Sequence, residues 1–347
     1  MRILVHEFVT GGGFAGRAVP VSLAREGAAI RTALIADLAA WGRHEIVTTT
    51  DSRFPLAAPA GVEVVPILPG REALSDTLIG SADAVWLVAP ETGRCLERLT
   101  ARVERKRTMV LGSSAAAIHR ASDKGRLPHR LARCGLRHPV TRVLGPRADP
   151  AAQAREIGYP VVVKPMCGAG CIGVCLARDA RELSRAVHAA RRGSRTGPLL
   201  LQRYVPGVAA SASLLCDGRR AVALSVNAQS VRTGRTVSYH GGRTPLDHPL
   251  AKEAMNAALR ACEALPGLRG YVGVDLVLAE SEIVVIEVNP RLTTSYLGVR
   301  SAFRGSDGKG ANIAALAIAA CAGKLPDAPV IRQSVQFTSA GRIKPLS

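Results

Sequence analysis

The stretch Gly158–Val174, with the sequence GYPVVVKPMCGAGCIGV, joins an apolar run to a loop rich in glycine. The apolar run Pro160–Val163 predicts a buried strand, which leads directly into Lys164. A second strand is predicted at Val174–Ala177, just beyond the glycines. The pattern therefore predicts a strand, a lysine, a glycine loop and a returning strand, in that order.

Glycines at this position have a chemical use. Gly168, Gly170 and Gly173 would let backbone N–H groups approach a phosphate closely, and Lys164 would add a positive charge. The order differs from the Walker motif, because the lysine precedes the glycines and no helix-opening Ser or Thr follows it. An ordinary hairpin with a loose turn is the alternative, and the residues downstream decide between the two.

Composition limits the function classes. The chain of 347 residues is long enough for two or three domains, and its net charge is +19, mostly from arginine. Such a charge suits nucleic acid, an acidic surface or small anionic ligands. The arginines are scattered and aromatics make up only 3% of the chain, whereas nucleic-acid proteins usually show a basic stripe with stacking aromatics. We therefore predict no nucleic-acid partner.

Targeting and redox signals favour the cytoplasm. No apolar run is long enough for a membrane span, and the N-terminus opens directly into an apparent strand, RILVHEF, without the pattern of a signal peptide. The eight cysteines form no CxxC pair and no zinc spacing. Cys167, Cys171 and Cys175 recur every four residues around the glycine loop, and we interpret them as reduced thiols.

Residues 1–115 alternate strands with helical stretches. This alternation predicts an open parallel sheet with helices on both faces. The loop Thr10–Gly13 follows the first strand, but it lacks the GxGxxG fingerprint of dinucleotide sites. Glu91 is expected in the loop after another strand. The strands are predicted at Ile3–Phe8, Glu45–Thr49, Val62–Pro66, Ala84–Val88 and Met109–Leu111.

The middle of the chain contains a second lysine and several strands. Ser122 and Asp123 are predicted to cap a helix, which would place Lys124 at a helix start, where an anionic ligand is one explanation and a surface lysine the commoner one. Leu199–Tyr204 predicts a buried strand. The sequence HGGR at residues 240–243 predicts a flexible loop, and residues 330–347 predict one last strand with an unstructured end.

Two strands near the C-terminus carry the clearest local pattern, GVDLVL at 273–278 and IVVIEVN at 283–289. If the turn centres on Ser281, Asp275 lies opposite Glu287, and strand alternation puts Asn289 on the same face as Glu287. Unpaired carboxylates between apolar neighbours are costly, so a hard cation such as Mg²⁺ is the expected partner. A solvent-facing strand with incidental acidic residues is the alternative.

Taken in order, these elements resemble the ATP-grasp superfamily of carboxylate–amine ligases over about residues 1–325. The resemblance implies an α/β fold in which an N-terminal doubly wound parallel sheet precedes a two-subdomain ATP-grasp fold. The expected units are residues 1–115, a small subdomain with the phosphate lid at 116–195, a large subdomain with the metal site at 196–330, and a tail at 331–347. The elements that carry it are Asp123-Lys124, Lys164 with its glycines, Gln202–Gly207 and Asp275 with Glu287-Val-Asn289-Pro.

The resemblance also implies roles for individual residues. Lys164 and Arg291 would act in catalysis, and Arg243 is a further candidate for the substrate carboxylate. Asp275, Glu287 and Asn289 would bind Mg²⁺ or Mn²⁺. Many members have Glu where Gln202 stands, an acidic ribose contact just after the Pro-Gly, and Arg at the position of Gly273. ATP contacts would come from Lys124, Lys164, Gly168, Gly170, Gly173, Gln202, Arg203, Tyr204 and Val205.

Within the superfamily, EFVTGGG at 7–13 and VNPRLTTSY at 288–296 most resemble the tyramine–glutamate ligases of methanofuran biosynthesis. This implies a small-molecule acid and amine as partners, with the γ-carboxylate of L-glutamate joined to tyramine or a similar amine. Another γ-glutamyl, D-amino-acid or peptide ligation, a nucleotide-binding regulator on the same scaffold, and a homodimer stay open.

Overall fold

The computed structural model describes residues 1–145, 147–166, 171–193, 197–234, 236–327 and 329–346. Within them the chain forms a five-stranded parallel sheet, a four-stranded antiparallel sheet and a seven-stranded antiparallel sheet. No described helix combines the length and the apolar character that crossing a membrane would require.

The N-terminal unit is the predicted parallel sheet. Its strand order is β3-β2-β1-β4-β5. Apolar side chains of β1 pack on α1 from one face and on α2 and α3 from the other, because both faces of its strands are apolar. The prediction of helices on both faces is confirmed. The elements are β1 (Arg2–Glu7), α1 (Val21–Trp41), β2 (Glu45–Asp51), β3 (Val62–Ile67), α2 (Asp76–Gly80), β4 (Ala84–Val88), a 3-10 turn (Thr92–Arg94), α3 (Cys95–Arg105) and β5 (Met109–Val110).

The four-stranded sheet has the order β6-β9-β7-β8. Val161 pairs with Ala177 in the antiparallel β7–β8 ladder, so the predicted strand and the returning strand are both present. β9 belongs to this sheet because it hydrogen-bonds to both β6 and β7, so the sheet includes residues beyond 195. The elements are α4 (Ala115–Ser122), α5 (Leu127–Arg133), β6 (Thr141–Leu144), α6 (Pro150–Ile157), β7 (Val161–Pro165), β8 (Cys175–Ala177), α7 (Ala180–Gly193) and β9 (Leu199–Arg203).

The seven-stranded sheet has the order β14-β13-β10-β11-β12-β15-β16. One face packs on α8 with α4 and α5, and the other packs on α9 and α10. Helices α9 and α10 also contact α1, so a single apolar core joins the N-terminal unit to this sheet. The elements are β10 (Val208–Asp217), β11 (Ala221–Thr233), β12 (Val237–Thr244), α8 (Ala251–Glu263), β13 (Arg269–Leu278), β14 (Ile283–Asn289), α9 (Ser295–Arg304), α10 (Ile313–Cys321), β15 (Ser334–Thr338) and β16 (Ile343–Leu346).

Two predictions in this region were wrong. The HGGR segment lies within β12 instead of a flexible loop. A Cβ on Gly241 would lie 2.0 Å from the carbonyl oxygen of Phe337, and one on Gly242 would lie 2.1 Å from that of Ala228. The glycines therefore permit close approach of neighbouring strands. The residues after Val330 form the β15–β16 hairpin, which extends the sheet beyond β12, so Ile343–Leu346 is not an unstructured end.

Candidate active site

The two carboxylates predicted to face each other do so in the β13–β14 ladder. Asp275 pairs with Glu287, and Gly273 pairs with Asn289, which places all three polar side chains on one face. The register then shifts, and Leu276 pairs with Val285, so Ile286 forms a bulge beside Glu287. Bulges of this kind reorient side chains next to functional sites.

Amide side chains hold Asp275 in place. Asn289 donates from Nδ2 to Oδ2 of Asp275 at 3.0 Å. Gln229, on the same face of β11, donates from Nε2 to Oδ1 at 2.8 Å. The sequence analysis did not identify Gln229.

Two lysines, Lys124 and Lys164, lie near these carboxylates. Nζ of Lys124 lies 2.8 Å from Oε2 of Glu287. Lys164 ends β7 and is 8% exposed. Burial, together with the neighbouring ammonium of Lys124, lowers the pKa of Lys164 to about 8. Burial alone would also lower the pKa of Lys124, but the carboxylate of Glu287 outweighs it and raises the pKa.

The position of Lys124 differs from the prediction. Helix α4 ends at Ser122, and α5 begins at Leu127, so Lys124 lies in the turn between two helices instead of at a helix start. Asp123 stabilises that turn, since its Oδ1 accepts the N–H groups of Gly125 and Arg126. A short turn braced in this way projects the lysine toward β14.

The donor set fits a hard divalent cation. Burial raises the pKa of Asp275, and the facing Glu287 carboxylate raises it further. Burial also opposes ionisation of Glu287, but the two lysines outweigh it and lower the pKa. A cation held by both carboxylates and the Asn289 amide oxygen would relieve their repulsion. In the described part of the chain no group of three or more His, Cys, Asp and Glu side chains could hold a metal ion, so the remaining ligands would have to come from substrate or water.

Arg291 is held by a residue from the N-terminal unit. Its Nε and Nη2 donate to the two carboxylate oxygens of Glu91 at 2.8 and 2.9 Å. Its Nη1 donates to the carbonyl oxygen of Leu292. Burial alone would lower the pKa of Arg291, but Glu91 outweighs it and raises the pKa. The fork expected to face a substrate carboxylate is therefore already occupied by Glu91, a partner that the sequence analysis placed in a loop but did not connect to Arg291.

The segment Gln202–Val205, called the hinge below, covers the end of β9 and the two residues after it. Gln202 is 5% exposed, and its Nε2 donates to Oγ1 of Thr141 at 2.9 Å. The N–H of Arg203 donates to Val140, and that of Tyr204 donates to Pro160. No backbone carbonyl among the described residues accepts the N–H of Val205.

Part of the predicted glycine loop is described and part is not. Gly173 has φ +74°, a conformation that favours glycine, and a Cβ there would lie 3.0 Å from Cγ of Pro165. Cys171 and Ile172 line the cleft beside the carboxylates. Burial raises the pKa of the Cys171 thiol to about 11, which does not favour a reactive thiolate. Cys167, Gly168 and Gly170 lie outside the described residues.

The structure does not bring Arg243 to this cleft. Arg243 pairs with Ala228, Ala228 with Ala210, and Ala210 with Leu276. Paired residues share a face, so the Arg243 side chain projects from the face opposite that of Asp275. It is also exposed. The carboxylate role suggested for Arg243 rested on a flexible loop, and the β12 strand removes that freedom.

The cleft itself has a volume of about 330 Å³ and lies where the three sheets meet. It is lined by the carboxylate cluster, by Arg291 and by Glu26, a residue of α1 that the sequence analysis missed. Oγ1 of Thr294, at the start of α9, donates to Oε1 of Glu26 across the junction of the two units. Nothing in the local sequence around Glu26 indicates this contact, which depends on the packing of α1 against α9.

Comparisons with known proteins agree with this geometry. The ATP-grasp domain family matches residues 121–295, and the pre ATP-grasp 3 domain family matches residues 44–118. The carbamoyl phosphate synthase large chain of Vibrio cholerae serotype O1 is 28% identical over 201 residues, covering 56% of this chain and 18% of that protein. The tyramine–L-glutamate ligase of Methanocaldococcus fervens is 39% identical over 102 residues, covering 29% of this chain and 33% of the ligase. This chain thus spans only a minor part of the length of these curated relatives.

Solved structures match over nearly the whole chain. An ATP-grasp superfamily protein from Archaeoglobus fulgidus has a TM-score of 0.68 and 25% identity, covering 97% of this chain and 92% of its own. The L-amino acid ligase of Bacillus licheniformis has a TM-score of 0.70 and 15% identity, covering 96% of this chain and 78% of its own, which shows a shared fold. Since the family match extends over just over half of the sequence, the chain belongs to the ATP-grasp family.

Proposed function

We propose that this protein is an ATP-dependent carboxylate–amine ligase that forms an amide through an acyl phosphate. The observation that carries the proposal is the convergence of Lys124 and Lys164 on the facing carboxylates Asp275 and Glu287. Such a set offers cations to a triphosphate and oxygen ligands to a metal ion within one cleft.

The side chains divide the binding of ATP between them. Lys164 and Lys124 bind the phosphates, and the hinge binds the adenine through the N–H of Val205 and the carbonyl of Arg203. Gln202 lies beneath the hinge, where Thr141 orients its amide. Asp275, Glu287 and Asn289 would hold Mg²⁺ or Mn²⁺, which when bound neutralises phosphate charge.

The reaction needs positioning and charge more than a protein nucleophile. A carboxylate oxygen of the acid attacks the γ-phosphorus, the bond to the β-phosphate oxygen breaks, and ADP leaves. The amine nitrogen then attacks the acyl carbon, phosphate leaves, and the nitrogen loses a proton. Arg291, fixed by Glu91, supplies positive charge beside the developing phosphate. Ile172 at the mouth of the cleft helps to exclude the water that would hydrolyse the acyl phosphate.

For substrates we propose the γ-carboxylate of L-glutamate and tyramine or a similar amine, as in methanofuran-type cofactor synthesis. The partial likeness to the tyramine–L-glutamate ligase of Methanocaldococcus fervens supports this choice. The excess of positive charge on the chain suits a doubly charged acid.

The test is to incubate the protein with ATP, Mg²⁺, L-glutamate and a panel of amines that includes tyramine and L-glutamate. ADP release is measured, and products are identified by mass spectrometry. A γ-glutamyltyramine mass supports the proposal. A product with L-glutamate as amine would indicate polyglutamylation, and no ADP release with any acid and amine would contradict a ligase function.

A pair of variants links that activity to the site. Glu287→Gln should lower turnover by about 100-fold or more, because it removes a charge that holds the metal and orients Lys124. Glu280→Gln, the same change in the exposed turn after β13, should leave turnover unchanged. Circular dichroism verifies folding of both, and wild-type turnover in folded Glu287→Gln would refute the metal assignment.

A further inference from the structure

Glu26 has a distinctive place in the cleft. It lies in the second turn of α1 and borders both the main cleft and a smaller recess of about 40 Å³. Its Oε1 accepts a hydrogen bond from Thr294. The other lining residues are mainly apolar, including Leu23, Ile30 and Val88, but Glu7 and Arg291 also line the recess. Glu26 therefore places a carboxylate where a charged group and a carbon skeleton could bind side by side.

The other acidic side chains of this region have partners that account for them. Glu287 pairs with Lys124, Glu91 pairs with Arg291, and Asp275 accepts from two amides. Within the described part of the chain, no Lys, Arg or His nitrogen lies within 4.0 Å of the Glu26 carboxylate. Yet the chain carries 46 Lys and Arg against 27 Asp and Glu. Arg291 lines the same recess, but its guanidinium is paired with Glu91, so a cation from outside would stabilise the half-buried Glu26 carboxylate.

A second metal ion is the poorer match for this position. A hard divalent cation needs about six oxygen ligands, whereas Glu26 and Thr294 supply two side chains beside apolar walls. An ammonium group needs few acceptors and carries a carbon chain. The apolar recess fits the carbon chain, and the carboxylate fits the ammonium.

We propose that Glu26 binds the ammonium group of a substrate. The inference rests on the proposed ligase function, in which both the amine and an amino-acid substrate carry such a group. The Glu26 position on α1 makes the N-terminal unit part of the substrate site, in the cleft that Asp275 and Glu287 also line. The experiment below distinguishes the two sources of the ammonium group, which are the amine substrate and the amino-acid substrate.

Binding is measured by calorimetry with Mg²⁺ and ADP present. The probes are tyramine with its deaminated analogue 4-ethylphenol, and L-glutamate with glutarate. In Glu26→Gln, affinity for the ammonium-bearing probe should fall roughly 10- to 100-fold, while affinity for its deaminated analogue should not change. Loss for tyramine alone assigns the amine substrate, and loss for L-glutamate alone assigns the α-ammonium.

Controls separate this inference from the proposed function. Glu253→Gln makes the same change at an exposed position of α8 and should bind as the wild type does. Glu26→Asp keeps the charge and should retain part of the affinity. Equal affinities in wild type and Glu26→Gln, or no binding of either ammonium probe by the wild type, would overturn the inference. Missing ADP release in the wild type would instead refute the ligase function.

Discussion

The ion pair between Glu91 and Arg291 allows a contribution to folding stability to be measured separately from a contribution to catalysis. It joins the N-terminal unit to the segment after β14, and the two side chains are 9% and 15% exposed. Both oxygens of Glu91 are engaged, at 2.8 and 2.9 Å. Glu91→Ala would leave the Arg291 guanidinium buried without its counter-charge.

The expected cost follows from that geometry. Removing one partner of a buried pair typically costs about 3–5 kcal/mol, and the residual exposure here places the expected cost near the lower end, at about 3 kcal/mol. Unfolding entropy for a chain of this length gives about 1.4 °C per kcal/mol, so the melting temperature should fall by about 4 °C. Replacing both partners, in Glu91→Ala with Arg291→Met, should restore most of that loss because no unpaired charge remains.

The assay is thermal unfolding of the wild type, both single variants and the double variant, with ADP release measured on each. The double variant should be nearly as stable as the wild type but strongly impaired in turnover, because in the proposed mechanism Arg291 supplies charge to the reaction. If Glu91→Ala costs as much in the Arg291→Met background as in the wild type, the loss does not arise from an uncompensated charge. Full activity of the stable double variant would refute a catalytic role for Arg291.

Two further predictions concern single side chains. Lys164→Met should weaken ATP binding by about 1.5–3 kcal/mol and should hardly change adenosine binding. Lys252→Met, at an exposed position of α8, should affect the binding of neither ligand. Equal losses of affinity for both ligands in calorimetry would place Lys164 away from the phosphates. Burial lowers the pKa of His6 to about 4 from the usual 6.5. As pH falls between these values, His6 therefore takes up a proton in the unfolded chain before it does so in the folded protein. The free energy of unfolding should drop by up to about 3 kcal/mol over this range. Between pH 7 and pH 5, melting curves should show a smaller loss of stability in His6→Gln than in the wild type or in the exposed control His188→Gln. A loss of stability in His6→Gln as large as in the wild type would contradict a buried neutral imidazole.

Sequence reasoning succeeded where the determining interactions are local. The facing of Asp275 and Glu287 follows from strand alternation and a short turn, and the structure has that register. The β7–β8 ladder likewise joins strands separated only by the glycine loop. The N-terminal parallel sheet followed from the regular alternation of element types.

It failed where side chains meet through packing of distant elements. Glu26 and Thr294 are 268 residues apart, and Glu91 and Arg291 are 200 apart, so no spacing rule connects them. The orientation of Arg243 depends on the β11–β12 register, which contains an irregularity between Gln229 and Val231. A shift of one residue moves every side chain to the other face, and the sequence does not determine where the irregularity falls.

The charged side chains around the cleft could exchange their present partners for charged groups of a ligand. Without ligands, Lys124 neutralises Glu287, and both lysines stabilise its ionised form. A triphosphate offers Lys124 and Lys164 new anionic partners, and a cation offers Asp275 and Glu287 a new positive one. Neither exchange is favourable alone, because each would leave a half-buried charge without its partner. If the proposed roles of these side chains are right, we therefore expect nucleotide and metal ion to enter the site together.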